Sequence, residues 1–296
     1  MNLVDAIQHL GIEHLFKQEI DNTLRDIHTS EFTSSSLHEV ALWFRLLREH
    51  GLWVSPDVFG KFDGDDARLS SVIADHDTRG LLSLYNAAHL LVHGEPELEE
   101  AISIARHHLE SMTRDCDLNP VLANQVNRAL NIALPRTCKR LETSLFISEY
   151  EQEEGWDESA VTLLPEYLKK FYRELLRNFK VLQDQVTDND KYRVTYTRKE
   201  RGKNKGDVAS SVECYMNEHK VTMEVAIDKI DSLVEDEWRT LNQARFEDHK
   251  LFPVVEQVVN LTASMASFYD ERKDAYTFAT LLQDTIESLF VNPVPI

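Results

Sequence analysis

Few residues of this chain stand at spacings that could do chemistry, and the acids come first. A hard divalent cation needs several carboxylate oxygens in one place. The only adjacent aspartates are Asp65-Asp66, and Ala67, Arg68 and Leu69 follow them, so no third acid completes a ligand set one helical turn on. His89 and His93 are four apart and would share a helix face, but no H-E-x-x-H pattern contains them. His38-Glu39 lacks its second histidine, and His107-His108 are merely adjacent. All of these read as ordinary packing or surface histidines. Arg198, Lys199, Arg201, Lys203 and Lys205 crowd one short stretch. They could attract a diphosphate, but nothing in the pattern encloses a ligand there, and a solvated loop is the plainer reading. Cys116, Cys138 and Cys214 are odd in number, widely spaced and without a C-x-x-C. That points to a reducing compartment, with neither a disulfide framework nor a zinc site.

The elements that must position these groups are helices. Gly (9) and Pro (8) are scarce in 296 residues, which leaves few turn signals and favours long helices over many short strands. Leu3, Ile7 and Leu10, then Phe16, Ile20, Leu24 and Ile27, suit an amphipathic opening helix or pair. The spacing predicts a helix over Ser36–His50 stopped by Gly51, one capped by Asp77 and running to Gly94, and one from Glu95 to Met112. Arg106, His107 and His108 near the end of this last helix would suit its dipole. Asn119-Pro120 opens another, and Pro135 separates it from a helix ending near Glu153. The acidic stretch Glu149 to Glu158 reads as a domain boundary. Beyond it, helical patterns cover Pro165–Gln185, Val208–His219, Thr222–Ala244, Lys250–Tyr269 and Thr277–Phe290, with a charged loop over Thr187–Asp207. Short connections imply antiparallel neighbours.

The formal charge is -19, with 51 acids against 32 bases. Such a field repels phosphate backbones and anionic lipid, so neither a nucleic-acid nor a membrane-surface partner is expected. The opening residues carry no basic n-region and no long apolar run, and no segment is long enough to span a bilayer; a cytoplasmic protein is expected.

Several segments resemble plant class I terpene synthases, particularly sesquiterpene synthases of grasses. They are SLHEVALWFRLLREHGLWVSPDVFGKF (36–62), DTRGLLSLYNAAHLLVHGEPELEEAI (77–102) and LPRTCKRLETSLFISEYE (134–151) in the first half. In the second half they are WDESAVTLLPEYLKKFYRELL (156–176), GDVASSVECYMNEHKVTMEVA (206–226) and FYDERKDAYTFATLLQDTIESLFVNPVPI (268–296). The resemblance implies an all-α fold. Residues 1–148 would form the family's helical α-α barrel N-terminal domain, and residues 149–296 an incomplete class I terpenoid-synthase α-bundle.

It also implies Mg²⁺-dependent action on a prenyl diphosphate, farnesyl diphosphate, with release of diphosphate and cyclisation. In the family three Mg²⁺ ions are held by a D-D-x-x-D/E motif and an N/D-D-x-x-S/T-x-x-x-E motif. Asp65-Asp66 fails the first. Asn189-Asp190 fails the second, because Arg193 and Thr197 stand where Ser/Thr and Glu are required. The resemblance breaks between Glu154 and Gly155 and again around Glu200 to Lys203, where full members carry the helices that bear both motifs. No metal ligands are therefore assigned, and impaired catalysis is expected. Tyr269, Asp274 and Tyr276 match the family's cavity-lining Tyr-x-x-x-x-Asp-x-Tyr positions, where the rings could stabilise a carbocation and the acid relay a proton. The same three residues also suit helix-end packing and capping. Two other roles stay open: a non-catalytic helical binding or regulatory protein, and a subunit completed by heterodimerisation with an intact paralogue.

Overall fold

A computed structural model describes residues 1–30, 32–63, 77–113, 118–139, 141–143, 145–146 and 211–268. Among them every regular element is a helix, as expected. Helix α1 (Asn2–His9) buries Val4 and Ile7, and α2 (Lys17–Thr29) buries Ile20 and Leu24, so the opening pattern is a pair. Helix α3 (Leu37–Glu49) starts where Ser36 accepts a hydrogen bond from the Glu39 amide, the first half of a capping box. The Glu39 carboxylate turns instead to Ser34 Oγ, 2.6 Å away. Gly51 ends the helix with φ 71. A Cβ there would also lie 2.9 Å from the Arg245 carbonyl, so the position needs glycine twice over.

Helix α4 (Thr78–Ala88) is capped by Asp77, which accepts from the Gly80 amide at 2.8 Å. Its two faces join two cores. Leu84 and Ala88 pack with Phe44, Leu47 and Leu98 in one, and Leu81 and Tyr85 pack with Ala105, Leu109 and Val126 in the other. Pro96 and Pro120 stand in the first turns of α5 (Pro96–Met112) and α6 (Pro120–Asn131), where a missing N–H costs nothing. Asn119 caps α6 by accepting from Val121 and Leu122.

Two expectations need correcting. Helix α4 stops at Ala88, not at Gly94. The Leu90 carbonyl accepts from Arg48, and those of His89 and Leu91 accept from Asn242. Distant side chains thus take over acceptors that a longer helix would have used itself. Arg106 does not serve the end of α5, whose last turn holds no base. It bonds Tyr85 Oη at 2.6 Å and the Leu130 carbonyl at 3.1 Å, tying α5 to α4 and α6.

From residue 211 on, α7 (Ser211–His219), α8 (Met223–Glu247) and α9 (Phe252–Phe268) follow one another. Thr222 caps α8 through the Val225 amide. The segments predicted over Pro165–Gln185, Thr187–Asp207 and Thr277–Phe290 lie outside the described residues.

Candidate functional site

Tyr269, Asp274 and Tyr276 lie outside the described residues, as do Asp65-Asp66, Asn189-Asp190 and the cations from Arg198 to Lys205. The histidines that could have suggested a metal are described, and they serve other partners. His89 is buried, with Nδ1 2.7 Å from the Tyr85 carbonyl. His93 is exposed and reaches Thr240 Oγ1 at 3.0 Å. His38 Nδ1 lies 2.7 Å from Ser83 Oγ. The His107 and His108 rings meet edge-on, 5.3 Å apart. Among the described residues no three His, Cys, Asp or Glu side chains converge as a metal site.

What the described residues do bring together is a polar junction where α8 lies against α3 and the turn after α4. At its base sits Arg48, fully buried on α3. Its guanidinium grips Glu95 with two hydrogen bonds of 2.5 and 2.7 Å, and also donates to the carbonyls of Val54 and Leu90. It stacks over Phe44 and Trp53 at 4.2 and 4.4 Å. Glu95 in turn accepts from the Val92 amide, which fixes the non-helical turn after α4.

Helix α8 docks on that turn. Asn242 donates to the His89 and Leu91 carbonyls, both at 3.0 Å, and Arg245 donates to the Glu49 carbonyl at 2.7 Å. Arg136 holds Glu235 through two bonds of 2.6 and 2.8 Å, with Trp238 beneath its guanidinium at 5.1 Å. Burial alone would raise the Glu235 carboxyl, but the bonds and charge of Arg136 outweigh it and hold the group below its ordinary value. Phe246 packs edge-on against Trp53.

A cavity of about 270 Å³ opens beside this junction, between α1, α2, α3, α8 and α9. Gln8 Oε1, Glu13 Oε2 and Arg245 Nε reach burial beside it without a hydrogen-bond partner. Two acceptors and one donor around a polar space suit bound water. A second cavity of about 580 Å³ lies among α1, α3, α4 and α6, where Asp5 pairs with Arg45 and Arg128 with Glu142. Among the described residues neither cavity gathers carboxylates for a metal, and the second is lined by the Ser83 hydroxyl against His38 Nδ1. The described junction ties α8 to α3, to the turn after α4 and to Arg136.

His89, in the middle of the junction, makes its stability depend on pH. Burial, and then the charge of Arg136, push the imidazole down to about 4 from its ordinary 6.5. The unfolded chain therefore binds the extra proton between these values. Stability is full above about pH 6.5 and falls as the pH drops toward 4, by up to about 3 kcal/mol. Burial lowers His50 too and adds to the same slope. Urea unfolding at about pH 7.5 and about pH 5 should show this loss, and His89→Gln should remove most of it. An equal loss in the variant would assign the slope to other groups.

The arrangement of helices is shared with two synthases of known structure. Isoprene synthase from grey poplar leaves superposes with a TM-score of 0.69 at 18% identity, over 99% of this chain and 90% of that one. Limonene synthase superposes with a TM-score of 0.67 at 15% identity, again over 99% and 90%. At such identity the likeness concerns the fold.

Sequence supplies the family. Residues 1–130 match the terpene synthase N-terminal domain, and residues 142–204 and 197–240 match the metal binding domain of the terpene synthase family. Maize alpha-copaene synthase is 34% identical over 490 positions, covering all of this chain and 91% of that protein. Maize tau-cadinol synthase is 31% identical over 487 positions, covering all of this chain and 88% of that protein. The chain belongs to the terpene synthase family.

The lengths of these alignments carry further information. Against alpha-copaene synthase, 490 positions face 296 residues, so at least 194 positions stand opposite gaps in this chain. The metal-binding domain matches in two pieces that overlap over residues 197–204, as expected where a stretch of the domain is skipped. Another maize relative needs no such gaps. The protein named inactive beta selinene synthase is 38% identical over 300 positions, covering 98% of this chain and 90% of that protein.

Proposed function

We propose that this chain is a sesquiterpene-synthase-type protein, by descent a Mg²⁺-dependent lyase of farnesyl diphosphate, whose own catalysis is impaired. The observation that supports this reading is its near-gapless alignment with inactive beta selinene synthase, set against the long gaps needed to align it with alpha-copaene synthase. In full members the metal ions would neutralise the departing diphosphate, and that demands converging carboxylates. The donor set here does not fit. The one Asp-Asp pair lacks its third acid, the Asn189-Asp190 stretch lacks both the hydroxyl and the glutamate, and the described residues offer no alternative cluster. No step through magnesium is therefore assigned. Tyr269, Asp274 and Tyr276 are proposed as remnants of a cavity wall. The chain is further proposed to work in the cytoplasm, without a nucleic-acid or membrane partner. Among the described residues no helix is long and apolar enough to cross a membrane.

Calorimetric titration with inorganic diphosphate, with and without Mg²⁺, tests the reading. The expected result is no magnesium-dependent binding up to about 1 mM. Saturable binding that vanishes with chelator would overturn it.

A further inference from the structure

Helix α9 is apolar on two faces, and the fold uses one of them. Val259 and Ala263 are buried, and Val255 and Ala266 beside them are partly covered. On the other apolar face Leu251, in the turn leading into the helix, is 55% exposed, Val254 59%, Val258 42%, Leu261 66% and Met265 40%. These five residues are spaced three, four, three and four apart. At 100° per residue they fall within a strip roughly 80° wide, the seam of a two-heptad helix pair. Gln257, Asn260 and Ser264 form a third, polar side. Single exposed apolar residues are normal on a surface, but five aligned along about 20 Å of one helix are not.

We propose that this stripe is the contact surface of a homodimer, occupied by α9 of a second copy of the chain. Charge points to that occupant. The chain carries -19, so most of its surface would repel a copy of itself. Within Phe252–Phe268 the only charged residue is Glu256, and it faces the opposite way, lining the junction cavity near Arg245. The stripe is thus a neutral window through which two acidic molecules can meet. The pattern is also self-complementary. In an antiparallel, two-fold pair Val258 meets Leu261 and Val254 meets Met265 of the other copy, so each layer joins the two kinds of seam position. Covering these side chains on both copies would bury roughly 1,000 Å², near the lower bound for a specific interface. The helix is already held in place by its buried face and by the α8 junction, so little ordering cost opposes pairing. The inference does not depend on whether the chain has catalytic activity.

Sedimentation of the full chain from about 1 to about 100 µM tests it. The expected species has twice the 34.2 kDa chain mass. Val258→Glu with Leu261→Glu would place carboxylates in a dry seam and should weaken association at least about 100-fold. Because both side chains are already exposed, circular dichroism should stay unchanged. Leu15→Glu, at an exposed apolar residue outside the stripe, should leave the dimer intact. If the double variant loses helicity, Leu261→Gln alone, at the most exposed position, should still weaken association about tenfold. A monomer throughout the concentration range would overturn the proposal. So would a dimer that survives these substitutions, or a chain that associates only with a full-length synthase.

Discussion

Replacing Arg48 with alanine is expected to lower the stability of the folded chain by about 3–5 kcal/mol, the largest effect of any single substitution in the described residues. The side chain is 0% exposed, and its guanidinium answers Glu95, Val54 and Leu90 at once. Alanine would leave the Glu95 carboxylate buried without its cation and strand two carbonyls. It would also remove the plate on which Phe44 and Trp53 stack. The loss is therefore mostly the penalty of what remains, not the net worth of the pair. A double variant, Arg48→Met with Glu95→Gln, keeps volume and removes both charges, and should cost less than half as much. Thermal melts should show a drop of roughly 10 °C for the alanine variant and a smaller one for the double variant. Equal losses in the two would mean that packing around Arg48, and not the stranded charge, dominates.

The junction built on Arg48 also separates what the sequence could disclose from what it could not. Starts of helices were legible because their signals are local. Ser36, Asp77 and Asn119 each cap within three residues, and Pro96 and Pro120 mark first turns. The end of α4 was not legible. Gly94 has the positive φ of a stop, yet the helix gives way six residues earlier. Its carbonyls are taken by Arg48 and Asn242, which lie about 40 and 150 residues away in the chain. No spacing rule could signal that contact. The one hint was an arginine embedded in the apolar pattern of Phe44 and Leu47, where a charge must find a partner if the pattern is buried.

The family was legible from motif order along most of the chain, because each segment keeps its own apolar and turn pattern even where others are lost. The chemistry was an expectation only, drawn from an Asp-Asp pair without a third acid and two breaks in resemblance. The residues that would line a cavity, Tyr269, Asp274 and Tyr276, fall outside the described part, and the polar geometry seen here docks α8 on the helices before it. The sequence marks α9 as apolar but does not say which of its apolar faces is covered. The regular three-four spacing of its exposed stripe became meaningful only once exposure divided the helix into a docked face and a free one.

The second large effect is on turnover. A full-length relative such as maize alpha-copaene synthase would set the scale, and this chain should be slower with farnesyl diphosphate and Mg²⁺ by at least about 10⁴-fold. That magnitude is what the proposed lack of converging charges to stabilise a departing diphosphate would cost. The decisive measurement is product detection by mass spectrometry after incubating both proteins, each folded by circular dichroism, with that substrate and metal. No sesquiterpene from this chain, while the relative turns over, is the predicted result. A sesquiterpene that appears with this chain alone and disappears with chelator would contradict it, and would mean that other carboxylates of the chain hold the metal.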